Sequence, residues 1–218
     1  MRALLDDAEA VFFDFDGVIV DSHDVKTRAF AALYVEDHPH IVEAVMAYHN
    51  LHGGMSRYKK FDYFERVLLE REPTPERLAE LGDRFADAVV EAVVASPEIP
   101  GASELLRALG ERATPCYVAS GTPEEELKQI VERRRLERYF RAVRGSPGEK
   151  AEILAELSAL YRHDASRCVM VGDAMTDYAA AQSAGMAFLG VVKPGCASSF
   201  PLGTKVTSTL ELRRVEIS

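Results

Sequence analysis

The chain has 218 residues, 47% hydrophobic and 28% charged, with 14 Gly and 10 Pro, a composition that supports a packed core and excludes disordered and fibrous chains. Its 26 Lys+Arg against 35 Asp+Glu give a formal net charge of −9, which repels phosphate backbones and anionic lipid, so neither nucleic acid nor membrane is expected as a partner. Cys116, Cys168 and Cys196 lack zinc or disulfide spacing, the apolar run at 184–192 is too short to span a bilayer, and the acidic start MRALLDDAEA does not read as a secretory signal; a cytoplasmic protein is expected.

The first strong signal is AVFFDFDGVIVDS at 10–22, a β-prone run broken by Gly17 and studded with aspartate, which reads as a buried strand ending in an acidic turn. From about 21 to 94 the pattern becomes helical. Phe30, Leu33 and Tyr34, then Ile41, Val45 and Tyr48, then Phe61, Phe64 and Leu68 recur at spacings of three, four or seven. Breaks at 37–40, 49–56 and 71–76 divide this stretch into four helices. After SPEIPG at 96–101, helical segments alternate with the strands CYVAS, AVRG, CVMVG and AFLGVV, the pattern of a parallel sheet with right-handed crossovers. The expected architecture is therefore α/β, a doubly wound parallel sheet built from residues 1–20 and 95–218. The helical stretch 21–94 is a small all-helical domain inserted after the first strand. The ending KVTSTLELRRVEIS reads as a last short strand and a short helix.

In such sheets ligands bind outside the carboxyl ends of the strands, so the polar residues there carry the chemistry. They are Asp14 and Asp16 after the first strand, Ser120 and Gly121 in VASGT, Lys150 opening a helix, and Asp173 with Asp177 after CVMVG. Each alone has a structural explanation: a solvated turn, a cap, a surface lysine, or an acid at a helix start. Together they bring carboxylates into one cleft, where a hard divalent cation such as Mg²⁺ would relieve their repulsion. Cation, ammonium, hydroxyl and turn N–H groups form a receptor for a phosphoryl group. With no Ser–His or Cys–His pair at these strand ends, the available nucleophile is a carboxylate, giving an aspartyl-phosphate.

These motifs, over nearly the whole chain, resemble the haloacid dehalogenase superfamily of phosphohydrolases. Its first motif stands as Asp14-Phe15-Asp16-Gly17-Val18, its second as Ser120, its third as Lys150, and its fourth as Gly172-Asp173-Ala174-Met175-Thr176-Asp177. The resemblance implies Asp14 as nucleophile and Asp16 as general acid/base, with Ser120 and Lys150 holding the phosphoryl group. It also implies Mg²⁺ ligation by Asp14, Asp173 and the backbone carbonyl of Asp16, supported by Asp177. An aspartate at position 16 is similar to the phosphatases and phosphomutases and argues against dehalogenation. Lys150 departs from the common pattern, being followed by Ala151 and Glu152 where many relatives carry a proline-rich run, although no other lysine lies between 129 and 192.

The helical insert resembles the substrate-selecting cap of the phosphoglycolate phosphatase and β-phosphoglucomutase branch. Its segment Gly54-Met55-Ser56-Arg57 is similar to a substrate-contacting cap loop, which makes Ser56 and Arg57 candidate substrate contacts, Arg57 by offering a planar fork to a second anionic group. The competing reading of Arg57, Lys59 and Lys60 is a solvated basic helix face. His23 and Lys26 read as hinge-surface residues, with Lys26 carried as a further candidate contact. His49 and His52 lack partners at metal-ligand spacing. The implied function is a Mg²⁺-dependent phosphatase acting on a small phosphorylated metabolite. The alternatives are a sugar phosphomutase and a non-catalytic regulatory relative.

Overall fold

In the computed structural model, which describes residues 2–212, a short helix α1 (Arg2–Asp6) leads into β1 (Ala10–Phe13), whose four residues are buried on both faces. A strand without a polar face needs helices over both sides of its sheet. The chain first leaves the sheet through α2 (His23–Tyr34), α3 (Val42–Leu51), α4 (Arg57–Tyr63) and α5 (Pro75–Ala95). A 3₁₀ turn at Pro39–Ile41 precedes α3, and a π-helical stretch at Phe64–Leu68 extends α4. These are the four helices that the periodicity predicts. They close on an aromatic centre in which the Phe30 ring lies 4.3 Å from Phe85, 5.5 Å from Phe61 and 5.8 Å from Phe64. The long helix α5 starts as its sequence directs: Pro75 supplies a preset φ, and the Thr74 side chain accepts from the Arg77 N–H at 3.2 Å.

The alternating half follows as α6 (Ala102–Glu111), β2 (Cys116–Pro123), α7 (Glu124–Arg133), β3 (Ala142–Ser146), α8 (Lys150–Tyr161), β4 (Cys168–Gly172), α9 (Met175–Ala184), β5 (Ala187–Val191) and β6 (Lys205–Thr207). All strand pairs are parallel and the order is β3-β2-β1-β4-β5-β6. Period-2 alternation then decides which helix covers which face. Val11 and Phe13 pack with Leu105, Leu106 and Leu109 of α6 and Leu127 and Ile130 of α7. Ala10 and Phe12 pack on the opposite side with Ile153, Leu154 and Leu157 of α8 and Ala180 and Ala181 of α9. Each fully buried large side chain in these layers contributes roughly 1.5–3 kcal/mol.

From β1 the strand order runs outward one way through β2 and β3 and the other way through β4, β5 and β6. The topological switch point therefore lies between β1 and β4, where an open α/β sheet forms its ligand crevice. The expected last strand is present, but residues 208–212 are not helical: Leu210 is buried and its N–H donates to the Pro100 carbonyl at 2.7 Å. The remainder of the expected terminal helix lies outside the described residues. The segment 193–204 is mostly exposed and anchored by Phe200, whose ring lies 5.1 Å from that of Phe188. No helix among the described residues is long and apolar enough to cross a membrane.

Candidate active site

The register of the sheet assembles the strand-end residues. Phe13 pairs with Val118 on one side and Val171 on the other, so the chain beyond each of these three positions emerges at the same edge. Asp14 follows directly, its N–H donating to the Val171 carbonyl at 2.9 Å. Ser120 lies two residues past Val118 and Asp173 two past Val171. Lys150, the first residue of α8, reaches over this edge: its Nζ donates to Asp14 Oδ2 at 2.6 Å and to Asp177 Oδ1. Asp177 Oδ2 in turn accepts from the backbone N–H groups of Asp173 (3.2 Å) and Ala174 (3.0 Å), fixing the turn from β4 into α9.

Carboxylate oxygens of Asp14, Asp173 and Asp177 lie within 4.8 Å of one another. Burial pushes the Asp14 carboxyl up to about 6, with the Lys150 ammonium opposing and the Asp177 charge assisting. Asp173 is held well above the ordinary carboxylate range by burial and by the Asp14 and Asp177 charges. Burial alone would lower the Lys150 ammonium, but Asp14 and Asp177 override it and keep it charged. One ammonium does not balance three carboxylates. The surplus negative charge on a buried, all-oxygen donor set fits a hard divalent cation such as Mg²⁺. Gly17 is required beside it: its φ is +76°, and a Cβ there would meet Asp173 Oδ2 at 2.1 Å.

The Asp16 carboxylate is not part of this trio. It accepts from Lys26 Nζ at 2.5 Å, Ser22 Oγ at 2.5 Å and Thr122 Oγ1 at 2.9 Å, and Lys26 also donates to Thr122 at 2.9 Å. Burial would raise this carboxyl, but the Lys26 charge and the three donors pull it down to about 2. Two aspartates two residues apart thus occupy opposite environments. Ser22 and Thr122 are absent from the expected site, and Lys26 belongs to it rather than to the hinge surface.

Asp14, Asp16, Ser120, Gly121 and Asp173 line a cavity of about 60 Å³ together with His23, Lys26, Phe30, His49, Gly53, Gly54, Arg57, Lys60 and Phe85 from the helical insert. Ser120 is buried and its Oγ accepts from the Thr122 N–H at 3.3 Å. Gly121 sits where the insert touches the sheet edge, and a Cβ on it would fall 2.3 Å from the Gly54 carbonyl oxygen. Thr176 ties the same loop down by donating to the Gly53 carbonyl at 2.9 Å. Ser56 does not reach this cavity but lines a wider groove of about 1150 Å³ beyond the loop, which also borders Lys150.

Arg57 and Lys60 do not form a solvated basic face, because both are buried; Lys59 alone is exposed, pairing with Glu149 at 2.5 Å. The fork expected of Arg57 is already engaged by Glu126 and by the Gly82 carbonyl at 3.4 Å, with the guanidinium 4.6 Å above the Phe85 ring. The sequence reading places neither Lys60 nor His49 in the site. For Lys60 a signal lies in the spacing: 57, 60, 61 and 64 share one helical face, the face that Phe61 and Phe64 turn to the core.

Residues 8–185 match the haloacid dehalogenase-like hydrolase family. A stretch of 96 residues is 33% identical to a 5'-nucleotidase of Pseudomonas aeruginosa, covering 42% of this chain and 43% of that protein, less than half of either. Among solved structures, a β-phosphoglucomutase from Clostridium difficile superposes with a TM-score of 0.76 at 17% identity over 96% of this chain and 94% of that one. A predicted phosphoglycolate phosphatase from Haemophilus somnus does so with a TM-score of 0.72 at 19% identity, covering 94% and 96%. These two likenesses are of fold. The family match spans the whole strand-end constellation from Asp14 to Asp177, and the chain belongs to the haloacid dehalogenase-like hydrolases.

Proposed function

We propose that the protein is a Mg²⁺-dependent phosphatase acting on a small phosphomonoester through an aspartyl-phosphate on Asp14. The observation that carries this reading is the opposite treatment of Asp14 and Asp16. Asp14 is buried at the switch point against the Lys150 ammonium, while Asp16 is held apart as an anion by Lys26, Ser22 and Thr122. A cation bound beside Asp14 would favour its anionic, nucleophilic form, while the Lys26 ammonium hydrogen-bonded to Asp16 gives that carboxylate a proton to pass on.

In this mechanism an Asp14 carboxylate oxygen attacks phosphorus, and the ester P–O bond breaks. The departing oxygen takes a proton relayed from the Lys26 ammonium through the Asp16 carboxylate, which ends the step anionic beside a neutral Lys26. Asp16 then takes a proton from the water that attacks phosphorus and passes it back to Lys26, releasing phosphate and freeing Asp14. Ser120 Oγ, the Gly121 N–H and Lys150 hold the phosphoryl oxygens. Mg²⁺ would be held by Asp14, Asp173 and the Asp16 carbonyl with Asp177 in support, and it would supply charge neutralisation at the phosphoryl group. Residues 21–94 act as the cap over a core of residues 1–20 and 95–218; the contacts of Gly121 with Gly54 and of Thr176 with Gly53 support a closed cap that excludes bulk water. Mg²⁺-dependent release of inorganic phosphate from a panel of small phosphomonoesters tests the reading. Release that disappears in Asp14→Asn supports it, and a phosphoryl group that stays on the organic product would instead indicate a mutase.

A further inference from the structure

Three cations of the insert line the cleft: Lys26, Arg57 and Lys60. Lys26 is held by Asp16, a residue of the reaction itself. Lys60 has no carboxylate partner among the described residues; it is buried and donates to His49 Nδ1 at 2.8 Å. Arg57 is instead neutralised by a carboxylate from outside the cavity lining that the mechanism does not use, Glu126 of α7. The helix dipole accounts for acids in the first turn of α7, and Glu124 and Glu125 serve their own helix by pairing with Lys128. Glu126 turns away from it. It reaches from core to insert with its side chain 10% exposed and meets a guanidinium that is 5% exposed. Both terminal nitrogens of Arg57 are thereby engaged, Nη2 by Glu126 and Nη1 by the Gly82 carbonyl at 3.4 Å, with the Phe85 ring against the guanidinium face.

We propose that Glu126 is a specificity-determining residue: it fills the Arg57 fork from the core side and so bars phosphomonoesters whose alcohol half carries a second phosphate. This rests on the phosphatase reading above and adds a restriction to it. A planar guanidinium in the wall of a phosphoryl-binding cleft is a natural receptor for a second phosphate, whose oxygens match its paired N–H groups. Here the protein supplies the anion. A second phosphate reaching Arg57 would have to displace Glu126, leaving a carboxylate buried without its cation, or stand against it as a like charge. Lys60, a point charge already donating to His49, does not replace the fork. An uncharged alcohol half meets neither penalty. The pair also ties insert to core, but a mechanical tie acts on every ligand alike, whereas the charge on Glu126 discriminates between ligands.

The test is calorimetric titration, at matched free Mg²⁺, with propylphosphonate and ethane-1,2-diphosphonate, which share one phosphonate end and neither of which can be hydrolysed. The wild-type chain should bind propylphosphonate the more tightly. In Glu126→Gln, which keeps the size of the side chain and removes its charge, the diphosphonate should gain roughly 10- to 100-fold, the range for a hydrogen-bonded charge, while propylphosphonate binds as before. Glu126→Ala should behave in the same way. A wild-type preference for the diphosphonate, or no gain in Glu126→Gln, would overturn the proposal. A gain in Glu126→Ala alone would assign the effect to space, and an equal loss of both ligands in the two variants would make Glu126 a tie between insert and core; either overturns it as well. If propylphosphonate competes with inorganic phosphate in the wild type and only the gain is missing, the phosphatase reading stands without this restriction. If neither phosphonate nor phosphate binds the wild type, both fall.

Discussion

Replacing Lys60 by methionine should stabilise the fold, and more so at low pH than at high. Burial first, and the Lys26 charge second, bring the Lys60 ammonium down from 10.5 to about 7. That gap corresponds to roughly 5 kcal/mol at 1.36 kcal/mol per tenfold change, charged against the folded state at any pH below about 7. Methionine fills the same space without that cost but forfeits the bond to His49, worth about 1–3 kcal/mol once the orphaned imidazole nitrogen is included. The net gain at pH 6 is about 2–4 kcal/mol, or roughly 4–16 °C in Tm for a chain of this size. The sign follows from proton counting. Between pH 7 and 10.5 the unfolded chain binds a proton at Lys60 that the folded one does not, so wild-type stability climbs with pH across that window. The advantage of the variant is therefore full below pH 7 and smaller by roughly 3 kcal/mol at pH 9. Urea unfolding of both chains in metal-free buffer at the two pH values measures this difference, in which the lost hydrogen bond cancels. A variant less stable at pH 6, or an advantage independent of pH, would refute the account of Lys60 as an uncompensated buried ammonium.

Three other outcomes are expected. Gly121→Ala would place a Cβ 2.3 Å from the Gly54 carbonyl, displacing the insert loop from the sheet edge, and should lower kcat/KM roughly 100-fold while leaving the core strands intact by circular dichroism. Mg²⁺ at ten times its Kd should raise the wild-type Tm by about 3–6 °C in differential scanning fluorimetry and give little rise in Asp173→Asn. Lys26→Met removes the charge that holds the Asp16 carboxyl at about 2 against burial; the acid limb of the kcat/KM profile should move to higher pH and kcat should fall roughly 10- to 100-fold.

The sheet and its catalytic edge are legible in the sequence because both obey local rules. Strands such as AVFF and CVMVG are continuous apolar runs, helices intervene, and the topology of a parallel sheet delivers every strand end to one edge. The strand-end positions of Asp14, Ser120, Lys150 and Asp173 therefore group them from sequence alone. What was not legible is set by how the insert docks. Lys26 reads as a hinge residue in isolation and becomes the partner of Asp16 only because α2 crosses the end of β1. Lys60 reads as one of three basic residues at a helix start. It is buried because Phe61, one position further on, is drawn into the Phe30–Phe85 centre and carries Lys60 inward with it. Arg57 follows on the same face, but its pairing with Glu126 of α7 joins elements 69 positions apart, which no local pattern reveals.

The central claim, covalent catalysis by Asp14, is tested most directly by quenching the enzyme in acid during turnover of its best phosphomonoester and mapping the peptides by mass spectrometry. The account predicts a phosphoryl increment on the peptide that contains Asp14, present only when Mg²⁺ and substrate are both supplied and absent from Asp14→Asn. Phosphate release that proceeds at the wild-type rate in Asp14→Asn, or a phosphoryl group found on another residue, would contradict it.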